Sequence, residues 1–197
     1  MTIAQNRLMT LGEYLEYDDG TDTCYELIDG ILVEMAPENP LNNTIVVFLI
    51  VQFSQTGIEH YRLATDHGIQ VGSKTASSRI PDLIVHSEAS ASAILQDGRL
   101  LRLGHPAPDL VIEIVSSSDT DKRSRDRNYV LKRREYALRS IQEHWIIDPE
   151  ASCVVIHTLT DNNYAEKTYV DQQPLISSVV SNTELTARKV LTAGIPR

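Results

Sequence analysis

Two acidic residues stand where a folded chain should resist them. Glu113 lies within the run Leu110-Val-Ile-Glu-Ile-Val115, among five large aliphatics, and Asp82 lies within Ile80-Pro-Asp-Leu-Ile-Val85. Both runs read as buried β-strands. A carboxylate taken out of water among such neighbours must be protonated, paired or holding a cation. If the two strands are neighbours, their carboxylates repel one another unless a hard divalent ion, whose preferred ligands are oxygens, sits between them. The chemistry this pairing suggests is metal-assisted hydrolysis. Asp109 is a false partner: it shares a strand face with Glu113 but lies about 13 Å away along it, too far to share one ion. It reads as a strand-start residue.

Other chemistries find little purchase. The six histidines show no zinc spacing, no glycine-rich loop follows a strand to cradle a phosphate, and no Gly-x-Ser-x-Gly elbow occurs. Cys24 and Cys153 are far apart and in no metal spacing, and they read as reduced thiols. The longest apolar run, Ile45 to Val51, is too short to cross a bilayer, and Met1 to Leu8 contains no apolar stretch of signal length, so the expected location is cytoplasmic.

The elements that must hold the acids can be read from local signals. Thr10 with Glu13 three residues on has capping-box spacing and predicts a short helix to Tyr17. Asp29-Gly30 between Tyr25-Glu-Leu-Ile and Ile31-Leu-Val-Glu-Met predicts a β-hairpin. Asn43 to Gln55 is ambiguous between strand and helix, and its length with the preceding Pro40 favours helix. Strands are expected at 61–65, 68–71, 80–86 and 110–116, with irregular segments at 87–97 and 104–108. Ser116-Ser-Ser-Asp-Thr-Asp121 is a cap-rich entrance to a long helix reaching about Ser140. A strand at 144–148, a hairpin of 153–159 with 164–170, and a closing helix over 183–192 complete the chain. Hairpin first, then acidic strand, helix and strand, makes an α/β protein with a central mixed sheet flanked by helices. With no repeat or linker, residues 1–197 are expected to form one domain.

The formal net charge is −9, which argues against a polyanionic partner. Its distribution is uneven. Residues 122–139 hold eight basic side chains (Lys122, Arg123, Arg125, Arg127, Lys132, Arg133, Arg134, Arg139) against Asp126 and Glu135, leaving 10 basic and 25 acidic residues elsewhere, so +6 sits on −15. This segment reads either as a solvated helix face or as a phosphate-facing patch.

Several segments in order carry a family resemblance: Tyr25-Glu-Leu-Ile-Asp-Gly30, Arg79-Ile-Pro-Asp-Leu-Ile-Val85, Pro108-Asp-Leu-Val-Ile-Glu-Ile-Val-Ser116, Lys132 with Tyr136, and Glu143-His-Trp-Ile-Ile-Asp-Pro149. From about Leu8 to Leu191 the chain resembles the Uma-type family of bacterial restriction-endonuclease-like proteins, within the PD-(D/E)XK nuclease superfamily. The resemblance implies that Asp82 and Glu113 bind Mg²⁺ (Mn²⁺ as a substitute), with the backbone carbonyl of Ile114 as a third ligand. It also implies that Glu26 lies near the metal and that Lys132 is the catalytic lysine. In the simplest superfamily pattern the lysine follows the glutamate by two residues. Here that position is Val115, so the lysine must come from the following helix. At about 100° per residue Lys132 lies some 40° from Tyr136, on the shoulder of an arc that includes Tyr129, Val130, Ala137 and Ile141. Arg133 falls nearer the centre of that arc and is the substitute. Relatives often carry a histidine where this chain has Asn42 and Asn43.

Two functions follow. One is an Mg²⁺-dependent endonuclease acting on DNA, expected as a homodimer because cutting both strands commonly uses two copies of a one-site domain. The other is a non-catalytic module that keeps the fold and binds nucleic acid or protein, which the acidic surface favours.

Overall fold

Thr10 opens the first helix as its spacing requires. Its hydroxyl accepts the Glu13 amide at 3.2 Å while the Glu13 carboxylate accepts the Thr10 amide at 2.8 Å, and α1 (Leu11–Leu15) follows. The computed structural model describes residues 7–35, 39–116, 127–181 and 183–195. The Asp29-Gly30 turn, with φ of 50° and 84°, has the left-handed pair that a two-residue hairpin needs, and it joins β1 (Tyr25–Ile28) to β2 (Ile31–Glu34). Asn39 caps α2 (Pro40–Gln55) by accepting the Leu41 amide, and Pro40 occupies the first turn, where its missing N–H is not needed. The ambiguous segment is therefore a helix.

The strands form two mixed sheets. β4 (Gly68–Val71), β5 (Ser77–Arg79) and β7 (Leu100–Leu101) join the hairpin in a five-stranded sheet of order β2-β1-β5-β4-β7. β3 (Leu63–Ala64), β6 (Leu83–Val85), β8 (Leu110–Ile114), β9 (Glu143–Asp148), β10 (Cys153–Thr160) and β11 (Asn163–Val170) form a six-stranded sheet of order β11-β10-β9-β8-β6-β3. β8 pairs antiparallel with β6 and parallel with β9. The mixed sheet flanked by helices thus holds, divided into two ladders. The segment expected to be irregular at 87–97 is instead helix α3 (Glu88–Asp97), capped by Ser87. Its Ser and Ala content gives it little amphipathic signal.

Alternation along β8 decides where Glu113 points. Leu110, Ile112 and Ile114 pack with Trp145 and Ile147 against α2 and against α5 (Ala187–Leu191). The opposite face carries Ile84 and Val111, which pack with Tyr136, Ile141 and, from the other sheet, Ile69 and Val71. Glu113 has the parity of Val111 and so enters the space between the sheets. Burying each such Leu, Ile or Val contributes about 1.5–3 kcal/mol, so the surrounding aliphatics offset the cost of one charge among them. Beyond the cap-rich entrance, whose residues 117–126 lie outside those described, the chain runs through a π-helical segment, Arg127–Lys132, into α4 (Arg133–Leu138). Among the described residues no helix is long and apolar enough to cross a membrane. Cys24 is exposed, Cys153 is half-buried, and neither is in a disulfide.

Three histidines are fully or nearly buried: His86, His144 and His157. His144 stacks on His157 with ring centroids 5.1 Å apart, and among the described residues neither nitrogen of His144 has a hydrogen-bond partner. Burial, aided by neighbouring cations, holds all three below the ordinary imidazole range, with His86 at about 4. Below pH 6.5 the unfolded chain takes up protons that these folded imidazoles refuse, so stability falls with pH. The expected loss is about 2 kcal/mol from His86 alone between pH 7 and pH 5. Urea denaturation at the two pH values measures it, and equal midpoints would contradict it.

Candidate active site

Glu113, only 4% exposed, accepts two short hydrogen bonds. Its Oε2 takes Lys132 Nζ at 2.7 Å, and its Oε1 takes the Tyr136 hydroxyl at 2.6 Å. Lys132 Nζ also lies 3.3 Å from Glu26 Oε1. Glu26 in turn accepts the Ile80 amide at 3.2 Å and Arg79 Nη1 at 3.1 Å. The Arg79 guanidinium then forks onto Glu135, with Nε and Nη2 at 2.7 and 2.8 Å. All five charged side chains are buried. Among the described residues, three carboxylates (Glu26, Glu113, Glu135) and two cations (Arg79, Lys132) form one buried network.

The charge states follow from this packing. Burial works against the Lys132 ammonium, but Glu113 and Glu26 outweigh it and hold the lysine above its usual range. The Tyr136 hydroxyl is pushed well up by burial and by the same two carboxylates, so it stays a hydrogen-bond donor to Glu113.

Asp82 reaches the same place from the adjacent strand. Leu83 pairs with Ile112, and continuing that antiparallel register by one residue sets Asp82 across from Glu113. Asp82 Oδ2 accepts the Ile114 amide at 2.5 Å, and the Ile114 carbonyl accepts Asn42 Nδ2 at 3.3 Å. Asn42, buried in the first turn of α2, therefore occupies the carbonyl expected as a metal ligand. A cavity of about 110 Å³ opens against Asp82, lined also by Asn43, Thr65, Asp66 and Ile80.

Between Lys132 and Arg133 the geometry distinguishes plainly. Arg133 turns outward, to Glu166 at 2.9 Å and the Tyr164 carbonyl at 3.0 Å. Angles reckoned at the α-helical pitch placed Arg133 and Val130 inward, yet Val130 is 64% exposed and Lys132 is buried. The buried face is Lys132, Glu135, Tyr136 and Arg139, spaced i, i+3, i+4 and i+7 as an α-helix requires, and three of the four are charged, so a face chosen by apolar residues points elsewhere. The π-helical winding before Lys132 shifts only the residues that precede it, Val130 among them. The basic segment is likewise not one continuous surface among the described residues. Lys132 and Arg139 point inward, Arg139 donating to the Arg102 and His105 carbonyls, and Arg134 stays exposed. Lys122, Arg123 and Arg125 lie outside the described residues.

Asp109 binds Arg62 at 2.9 Å, away from Glu113, as a strand-start residue should. Glu143, part of the Glu-x-Trp segment, is a structural acid. Fully buried, it accepts Trp145 Nε1, the Ser177 hydroxyl, and both the amide and hydroxyl of Ser178 at 2.6–3.0 Å, tying the 177–178 loop to β9. Sequence reasoning gave no role to Arg79, Glu135 or Asn42. The only local hint was an arginine placed directly before Ile80-Pro-Asp.

Among the described residues no three His, Cys, Asp or Glu side chains form a metal cage. The oxygens that the strand register brings opposite one another are the carboxylates of Asp82 and Glu113, and the Ile114 carbonyl, which takes one bond from Asn42, keeps a second lone pair. Mg²⁺ suits such a set, because it keeps several waters and binds through one or two carboxylates together with substrate phosphates. The bonds from Lys132 and Tyr136 do not exhaust the lone pairs of Glu113.

The two mixed sheets and their flanking helices define a restriction-endonuclease-like fold. A nuclease-like structure from Anabaena variabilis ATCC 29413, described as a "putative nuclease belonging to DUF820", superposes with a TM-score of 0.70 over 95% of this chain and 99% of its own. The two are 18% identical, so the likeness establishes the fold. Residues 11–188 match the model of the Uma2 family, described as "Putative restriction endonuclease", and the chain belongs to that family. No curated protein matches it.

Proposed function

We propose that this protein is an Mg²⁺-dependent endonuclease, with Mn²⁺ as a substitute, that hydrolyses phosphodiester bonds of DNA. The observation that carries the reading is Lys132 Nζ set 2.7 Å from Glu113 within a buried ionic network, with Asp82 at the head of the neighbouring strand. Asp82, Glu113 and the Ile114 carbonyl would hold the ion. When bound, it supplies Lewis-acid polarisation of the phosphate and a more acidic bound water. Lys132, kept charged by its two carboxylates, stabilises the charge that builds on the phosphoryl oxygens. Tyr136 fixes one oxygen of Glu113, so that the other faces Lys132. Glu26, held by Arg79 and the Ile80 amide, positions Lys132 from the opposite side and can take up a proton through water. A homodimer would bring two such centres to the two strands of a duplex.

One observation favours a non-catalytic module of the same fold. The net charge of −9 weakens general attraction to a phosphate backbone. Plasmid nicking in Mg²⁺ separates the two. Wild type is expected to convert supercoiled to nicked DNA, and Asp82→Asn to lose at least about 100-fold in rate. Equal nicking by the two proteins would overturn the assignment of Asp82, and no nicking by wild type in Mg²⁺ or Mn²⁺ would favour the binding module.

A further inference from the structure

A second cavity lies beside the one at Asp82. It encloses about 270 Å³ beneath α1, and its lining includes Tyr14, Tyr17, Tyr25, His67 and Arg99. Asp66 and Ile80 line both this cavity and the one against Asp82, so the two are neighbours that share a wall. We infer that this cavity is a nucleobase site, which receives the base of an unpaired nucleotide adjoining the phosphate bound at Asp82. The inference rests on the nuclease reading for its substrate class.

The chemistry of the walls points this way. Tyr14 and Tyr25 have committed their hydroxyls, to the Tyr25 carbonyl and to Asp19, both at 2.7 Å, which fixes their rings as walls. Tyr17 meets Tyr25 edge to face at 5.6 Å. Aromatic walls accept any base by stacking, worth about 1–3 kcal/mol per base. Arg99 is exposed at the rim, with no carboxylate partner among the described residues, and can meet a phosphate or stack.

His67 adds a directional contact. His86 Nδ1 lies 3.1 Å from the Ser90 hydroxyl and His86 Nε2 lies 3.0 Å from His67 Nδ1, so this series of contacts holds the His67 ring in place. The remaining ring nitrogen of His67, Nε2, is left for the polar edge of a base, as acceptor from an exocyclic amine in one tautomer and as donor to a ring nitrogen or carbonyl in the other. Partial burial keeps that imidazole neutral by lowering its pKa.

A base inside a duplex is stacked and paired, so only a single strand or an extruded base can enter such a cavity. This also accommodates the acidic charge of the chain. Where backbone attraction is weak, affinity has to come from the bases.

The test uses fluorescence anisotropy with a labelled single-stranded deoxycytidine oligonucleotide and an abasic strand of equal length, without divalent ions, so that nothing is cut. Wild type is expected to bind the base-bearing strand about tenfold tighter than the abasic one. Tyr17→Ala should erase that ratio, whereas Tyr17→Phe, which keeps the ring and its packing, should preserve it. Equal affinity of wild type for the two strands overturns the base site. If plasmid nicking in Mg²⁺ persists alongside that equality, only the base site has failed. A base-dependent affinity in a protein that nicks nothing keeps the base site and overturns the nuclease reading.

Discussion

Lys132→Met should cost the fold about 3–5 kcal/mol, because removing one partner of a buried ion pair leaves the other charge uncompensated. Here two carboxylates lose a cation at once, Glu113 at 2.7 Å and Glu26 at 3.3 Å, and both are nearly inaccessible to water. A domain of this size has about 5–15 kcal/mol of stability in total, so the variant should melt far below wild type. Adding Glu113→Gln should restore about 1–2 kcal/mol, since the glutamine can still accept from Tyr136 and no longer buries a charge. A double-mutant cycle in urea reads both effects. Additive losses would show that the pair is not coupled. The pH dependence has a definite sign. The folded ammonium is held above its ordinary value of 10.5, so the contribution of the pair is complete below that pH and is lost as pH rises through the elevated folded value.

The second large effect belongs to Arg79→Met. Arg79 is wholly buried on β5 of the five-stranded sheet, and it forks onto Glu135 of α4 while also bonding Glu26 of β1. It therefore fastens one sheet to the helix that covers the other. Met fills much of the volume but supplies no donors, leaving two carboxylates buried beside each other. A loss of about 3–5 kcal/mol is expected. Lys is not an adequate substitute, because an ammonium cannot present the planar fork that Glu135 receives. Arg79→Lys should therefore recover only part of the stability, and thermal unfolding of the three proteins gives the ranking. If Arg79→Lys matched wild type, the bidentate contact would carry no weight.

Much of the scaffold is legible from local chemistry. The Thr10 and Glu13 capping box, the Asp29-Gly30 turn and the buried apolar strand through Leu110 to Ile114 each depend on residues a few positions apart, and each formed as expected. The sequence also marks Glu113 as a charge in need of a partner. It does not show how that need is met, because the partners come from afar: Lys132 by 19 positions and Tyr136 by 23. Arg79 lies 53 residues from Glu26 and 56 from Glu135, and no local spacing encodes such pairs. The short strands β5 and β7 carry too few residues to show a period. The π-helical segment defeats a fixed angle per residue at Val130, and the inward face of α4 carries Lys132, Glu135 and Arg139, charged residues that an apolar pattern does not mark as buried.

Calorimetric titration of Mg²⁺, and then Mn²⁺, into the wild-type protein and Asp82→Asn tests the proposed metal centre most directly. The oxygen donors at Asp82, Glu113 and Ile114 predict a saturable divalent-ion isotherm for wild type at millimolar concentration or below, and its collapse in the variant while the variant remains folded. A wild-type protein that takes up neither ion at millimolar concentration, or a variant that binds as wild type does, would contradict it.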